Sequence, residues 1–419
     1  MAGTALILAY YFPPIGMGGV QRMAKLAKYL PQFGYEVVVL TVKPIRYSAY
    51  DDTLLKEMPP QVQIVRSGSH DPARIARLLR LPLGRGHRAA QSAKQTGRLW
   101  PDSKAGWQGP ALRTARRIMD GRQIDLVLSS SPPVTGHLVA MALQERYGLP
   151  WVADFRDLWE SRTPEKLYDS PMLVVKAGRL LREIAVRANA VTCVNDSIGW
   201  RLKPEAITIA GGFDPDDFAG ITTVAGGPEE SGRFILCYMG TVGPLCPIEP
   251  FLEAAQIAAL RDPSFDARVW FRIIGANDVR MIRDMAAKFN MGSRVEITGY
   301  LSHHEALRRA AGAAATLLSV CDGYPEIGTG KIFDYLALRV PTLAVAPMGS
   351  EAEKLLKAYR GGICTAPGRP EALAESMLSL FQAWSRGEHW VKRELSSLTR
   401  PESARAFAAL FDRIINAKR

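Results

Sequence analysis

The chain has 419 residues, 47% hydrophobic and 22% charged, with a formal net charge of +12 and a pI near 9.5. That length exceeds one ordinary core and predicts two domains, while the composition excludes a disordered or fibrous chain. The positive balance points to an anionic partner: nucleic acid, a lipid surface or a phosphorylated substrate.

Cys193, Cys237, Cys246, Cys321 and Cys364 are scattered, with no C-x-x-C and no histidine spaced to share a metal. Reduced thiols in a cytosolic setting are therefore expected, without a zinc site; no cofactor is expected for the chain. The amino-terminal apolar run has no basic residues before it and stops at two prolines, which makes it a poor export signal. No run reaches the eighteen or so apolar residues of a membrane span.

Strands are predicted at Ala5–Ala9, Glu36–Thr41, Val62–Val65, Asp125–Ser129, Trp151–Asp154 and Ala190–Val194. Helices fall between them at Val20–Leu30, Leu112–Met119, Val134–Tyr147 and Val174–Arg187. The second half repeats the alternation. Its strands are RFILCYMG, RVWFRIIG, RVEITG, AATLLSV, PTLAVA and GGICTA, and its helices are Pro250–Leu260, Val279–Phe289, His304–Ala310, Gly330–Leu338, Glu351–Tyr359 and Glu371–Trp384. Short apolar strands alternating with helices imply parallel sheets covered on both faces. The fold class is thus α/β, with two doubly wound domains and a cleft between them. The expected divisions are an amino-terminal domain over 1–221, a polar glycine-rich linker over 222–233 and a carboxyl-terminal domain over 234–400. A last helix within 401–419 would pack back on the first domain.

The first strand runs into AYYFPPIGMGGVQR, a glycine loop that opens a helix. Dinucleotide binding wants G-x-G-x-x-G there and a carboxylate ending the second strand. Arg22 stands where the third glycine should be, and the second strand ends in EVVVLTVKP. A nicotinamide or flavin is therefore not expected, and no G-x-x-x-x-G-K-[ST] is present. Gly18 and Gly19 leave a backbone that an anion can approach, or else a tight turn without a ligand.

The second informative stretch is Tyr324-Pro-Glu326-Ile-Gly328-Thr329-Gly330-Lys331-Ile-Phe-Asp334, between a buried strand and a helix. The N–H groups of Gly328, Thr329 and Gly330 and the Lys331 ammonium would face a diphosphate. Asp334, one turn further on the same face, would accept from ribose hydroxyls. Glu326 would do the same for another hydroxylated ring. The alternative is an exposed Lys331–Asp334 pair on a surface helix.

These stretches, with LPWVADFRDLW and GGFDPDDF, resemble the family 4 glycosyltransferases of the GT-B fold over essentially the whole chain. The resemblance implies two facing Rossmann-like domains and retaining transfer without a metal. It places a nucleotide-diphosphate sugar donor mainly on the carboxyl-terminal domain and a glycan acceptor on the amino-terminal one. The family's E-x7-E motif falls on Glu326, for the donor sugar, and Asp334, for the ribose. Gly18 and Gly19 fall on the donor-phosphate side, with Gly240 and Thr241 after the first strand of the second domain. Base specificity is expected near Gly275 and the loop Thr298-Gly-Tyr300-Leu301.

Two departures stand out. Thr241 occupies the place of the family's arginine and no lysine follows, so the cation over the diphosphate must be Lys331 or Arg22, with Arg272 a weaker candidate. The usual histidine after the fifth strand is replaced in Asp154-Phe-Arg156-Asp157. Asp154, Arg156 and Asp157 are expected on the acceptor side, against the alternative of an Asp–Arg pair holding the strand end. His137 is a further acceptor-side candidate or a helix-face residue. The expected catalytic set is Glu326, Lys331, Asp154 and Arg156. Asp214-Pro-Asp216 reads as a turn and helix cap rather than a metal site.

Residues 74–98 carry Arg74, Arg77, Arg80, Arg85, Arg88, Lys94 and Arg98 among leucines, without an acid. This pattern suits an anionic membrane surface, or a solvated basic face. In the family it implies a cytoplasmic enzyme, peripheral on the inner face of the cell membrane, with a lipid-linked acceptor in surface polysaccharide synthesis. Nucleic-acid binding is not expected, since no motif or aromatic platform supports it. A two-lobed sugar or nucleotide binder and a nucleotide-sugar epimerase of the same fold are the alternatives.

Overall fold

A computed structural model describes residues 3–80, 99–157, 170–221, 232–322, 330–338, 340–388, 390 and 393–418. The chain divides into two compact units, Met1–Gly211 with Arg400–Arg419, and Gly212–Thr399.

The first unit is built on seven parallel strands: β1 Gly3–Leu8, β2 Tyr35–Val42, β3 Val62–Ser67, β4 Leu126–Ser131, β5 Trp151–Phe155, β6 Ala190–Cys193 and β7 Ile207–Thr208. Their order is β3-β2-β1-β4-β5-β6-β7, so the winding reverses between β1 and β4. Runs such as VVVL in β2 are apolar at every position because helices cover both sheet faces. In register, Leu6 pairs with Val38 on one side and Val127 on the other, and all three are fully buried. The last helix, Arg400–Lys418, belongs to this unit: Phe411 packs edge-on against Tyr35, whose hydroxyl donates to Asp412 Oδ1 at 2.6 Å.

The second unit holds six parallel strands: β8 Phe234–Met239, β9 Val269–Ile274, β10 Val295–Thr298, β11 Ala315–Ser319, β12 Thr342–Val345 and β13 Gly362–Thr365. Their order is β10-β9-β8-β11-β12-β13, with the reversal between β8 and β11. One face of this sheet packs Phe234, Phe265, Phe381 and Trp384 together, and the other packs Ile235, Leu318, Ile332 and Leu336.

The crossing between units lies at Gly211/Gly212, earlier than the boundary expected at 221. Residues 213–218 are tied to the second unit by a bridge from Phe213 to Thr399 and by Phe213 and Phe218 packing on its core. Residues 222–231 of the expected linker lie outside the described residues.

Candidate functional site

In doubly wound sheets, ligands sit beyond the carboxyl ends of the strands where the winding reverses. In the second unit that place is between β8 and β11, and three expected residues meet there. Gly240 follows β8 with φ +121, a backbone region that side chains rarely adopt. A Cβ added to Gly240 would lie 3.1 Å from Lys331 Nζ, and one added to Gly275, which ends β9, would lie 3.5 Å from Gly240 Cα. Lys331 opens helix Lys331–Ala337 and reaches back to β8. Its ammonium donates to Tyr238 Oη at 3.1 Å and stands 4.2 Å from that ring's centre. The Tyr238 hydroxyl in turn donates to the Thr241 carbonyl at 2.9 Å.

Burial lowers the Lys331 pKa from the ordinary lysine value, and no salt bridge to Lys331 forms among the described residues. An ammonium held on a neutral phenol and a glycine backbone is a strong attractor for an anion. The sequence named Lys331 and Gly240 but missed Tyr238, which looks like any aromatic strand residue. Thr241, Thr298 and Tyr300, also expected on the donor side, follow or end strands of the same sheet. Thr241 is exposed after β8. Beyond β9, the Thr298 carbonyl at the end of β10 accepts from the Ala276 N–H at 2.9 Å, and Tyr300 is exposed in the following loop. Gly330 precedes Lys331, while Glu326, Gly328 and Thr329 lie outside the described residues.

Asp334 does not pair with Lys331. Its Oδ2 lies 3.6 Å from His303 Nε2, and the same nitrogen is 3.4 Å from Asp217 Oδ2. His303, unforeseen from sequence, begins helix His303–Ala311 just after the Thr298–Leu301 loop. Arg272 is also unsuited to a diphosphate, since its guanidinium donates to Glu296 Oε2 at 2.8 Å and to the Arg309 carbonyl at 3.1 Å. Asp214 caps a short turn by accepting the Asp216 N–H at 3.0 Å.

In the first unit the winding reverses between β1 and β4, and the glycine loop follows β1. Helix Gly18–Tyr29 starts at Gly18, around which an added Cβ meets nothing within 4 Å. Gly19 is different: an added Cβ would lie 2.9 Å from Arg156 Nη1, which donates to the Gly19 carbonyl. Arg156 also pairs with Asp157 at 3.0 Å, with side chains 24% and 44% exposed. Both are therefore reachable from solvent at the end of β5.

Three residues expected at the site in this unit lie buried and bonded within it. Arg22 is paired within the core: Nη2 lies 2.7 Å from Asp154 Oδ1 and Nε 3.0 Å from Oδ2, with side chains only 5% and 0% exposed. Asp154 is enclosed as well. Ser130 Oγ and Thr192 Oγ1 donate to it at 2.8 Å each, so its lone pairs are filled from within the core. Burial alone would raise its pKa, but the Arg22 guanidinium and these hydrogen bonds hold it below the ordinary carboxylate value. His137, in the first turn of helix Thr135–Tyr147, is fully buried, bonded through Nδ1 to Ser129 Oγ at 2.7 Å and tilted against Phe155 with ring centres 4.7 Å apart. Burial pushes its pKa down to about 3, so it stays neutral.

The described part of the basic stretch is helix Pro72–Leu78, which leaves Ile75, Leu78 and Leu79 exposed beside Arg77 and Arg80. Residues 81–98 lie outside the described residues. No helix among the described residues is long and apolar enough to cross a membrane.

Comparison with known proteins agrees with this fold. Solved structures with the same two Rossmann-like units include an α,α-trehalose-phosphate synthase (UDP-forming) from Burkholderia vietnamiensis, with TM-score 0.63 and 13% identity, covering 99% of this chain and 100% of that one. A sucrose-phosphate synthase from Thermosynechococcus elongatus is similar at TM-score 0.58 and 14% identity, covering 99% and 97%. The lipopolysaccharide outer core galactosyltransferase WaaB is similar at TM-score 0.55 and 13% identity, covering 99% and 98%. The architecture is that of the GT-B glycosyltransferases. The glycosyl transferase 4-like domain model matches residues 17–201, and the glycosyl transferases group 1 model matches residues 233–383. The chain belongs to this family of glycosyltransferases. Comparison with curated proteins gives no match.

Proposed function

We propose that the chain moves a sugar from a nucleotide-diphosphate sugar to a glycan acceptor with retention of configuration. One observation carries this reading: the desolvated Lys331 ammonium stands beside the Gly240 backbone at the winding reversal, with no salt bridge among the described residues. Lys331 takes the place of the arginine and lysine that the family resemblance leads one to expect around Thr241. Asp334, one turn along, accepts the ribose hydroxyls.

In the transfer the bond between the anomeric carbon and the terminal phosphate oxygen breaks. Charge gathers on that oxygen, where Lys331 stabilises it more than in the ground state. The acceptor hydroxyl attacks the anomeric carbon on the face the phosphate leaves, and its proton passes to the departing phosphate. No metal is needed for this balance.

Arg156, held against Gly19 and open to solvent, suits a phosphate on the acceptor. The exposed Ile75, Leu78 and Leu79 between Arg77 and Arg80 suit shallow contact with an anionic membrane. Together they favour a lipid-linked acceptor, a peripheral cytoplasmic location and a role in surface polysaccharide synthesis.

The test is release of nucleoside diphosphate from a panel of nucleotide sugars by the wild type and by Lys331→Ala and Asp334→Ala. Each variant is expected to lose at least about tenfold in rate, the loss of one charge-assisted contact. Full activity in both folded variants would overturn the placement of the donor.

A further inference from the structure

We infer that His303 is a positioning residue for the donor, its imidazole bridging Asp217 and Asp334 so that the ribose-binding carboxylate is set before the nucleotide arrives. The inference rests on the reading of Asp334 given above and adds the device that makes it selective.

Three separate elements meet at this imidazole. Asp217 lies in the turn Pro215–Phe218, His303 in the first turn of helix His303–Ala311 and Asp334 in helix Lys331–Ala337. The helix start is itself fixed, because the Ser302 hydroxyl accepts the Glu305 N–H at 3.4 Å. The neighbouring His304 Nδ1–H donates to the Asp217 carbonyl at 3.0 Å, clamping the helix to the turn. His303 Nε2 then stands 3.4 Å from Asp217 Oδ2 and 3.6 Å from Asp334 Oδ2, with the three side chains 21%, 10% and 14% exposed.

Both contacts attract only when Nε2 carries its proton, since a bare ring nitrogen would turn a lone pair toward two carboxylates. Removing the imidazole takes away a group within 3.6 Å of both carboxylates, and like charges left facing each other swing apart or take up a proton. Either outcome would spoil Asp334 as an acceptor. With the imidazole 3.6 Å from Oδ2, the Asp334 carboxylate keeps Oδ1 for the vicinal hydroxyls of a ribose. The arrangement therefore selects ribonucleotide donors over deoxyribonucleotide ones.

The experiment is calorimetric binding of UDP and 2′,3′-dideoxy-UDP, with the GDP and ADP pairs run alongside. Wild type is expected to prefer the ribose form of the base it binds by at least about tenfold, the value of hydrogen bonds to a charged group. His303→Ala should cut that preference to below about threefold while leaving dideoxy affinity unchanged, and His303→Gln, which restores an N–H donor, should bring most of it back. Where His303→Ala does not fold, Asp217→Asn takes its place and should also lower the preference. A folded His303→Ala protein that keeps the wild-type preference overturns the inference about His303. An unchanged preference in Asp334→Ala overturns the ribose reading instead, and the absence of binding by all three ribonucleotides overturns both.

Discussion

Substitution of Asp154 separates a structural from a catalytic role most sharply. Its carboxylate takes three bonds from Arg22, at 2.7, 3.0 and 3.3 Å, and one each from Ser130 and Thr192 at 2.8 Å, with no exposure to solvent. Asp154→Asn removes the charge that balances a guanidinium only 5% exposed, and an amide N–H₂ turned toward that guanidinium finds no acceptor on it. Breaking one side of a buried ion pair costs about 3–5 kcal/mol. For a unit of this size that corresponds to a fall in unfolding temperature of roughly 6–20 °C. The double variant Arg22→Met, Asp154→Leu removes both charges and should recover much of the loss, because a matched apolar pair carries no desolvation penalty. Thermal unfolding of the wild type and both variants measures this, with nucleoside diphosphate affinity as the second readout. That affinity should be unchanged in protein that is still folded. An Asp154→Asn protein that unfolds at the wild-type temperature yet cannot transfer sugar would refute the structural assignment.

Gly240→Ala places a methyl 3.1 Å from the Lys331 ammonium at a φ of +121. It should cost about 1–3 kcal/mol of stability in strain and weaken nucleoside diphosphate binding, both read by calorimetry. The His137 pKa of about 3 lies below its unfolded value of 6.5, so unfolding takes up a proton between those values. Its contribution is complete above pH 6.5 and is lost as pH falls toward 3. Replacement of His137 by Phe should thus flatten the dependence of unfolding free energy on pH by about 1.4 kcal/mol per unit between pH 5 and 4. In flotation with anionic vesicles, the wild type should rise with the lipid at low salt and be released at high salt. Ile75→Glu with Leu78→Glu should weaken that association, and no flotation at low salt would remove the membrane reading.

The alternation of strands and helices was legible because parallel strands covered on both faces are apolar throughout, as in β2 and β8. The edge strand Ile207–Thr208 escaped, being too short to carry a pattern. Lys331 and Gly240 could be singled out because their chemistry shows in the chain itself: a lysine after a glycine loop, and a glycine ending a strand. Arg22 misled for a matching reason. Its place one turn after Gly18 and Gly19 suits a phosphate, but its partner comes from β5, 132 positions away, and only packing reveals it. His137 stands after a strand end, as acceptor residues do, yet Phe155 and Trp151 close over it. His303 left no trace, because a histidine opening a helix is unexceptional until Asp217 and Asp334 arrive from distant segments.

The account stands most directly on where a nucleoside diphosphate binds. A crystal structure of the protein soaked with the tightest-binding of UDP, GDP and ADP is predicted to show a phosphate oxygen within about 3 Å of Lys331 Nζ. A diphosphate bound away from Lys331, with the ammonium still resting on Tyr238, would contradict it.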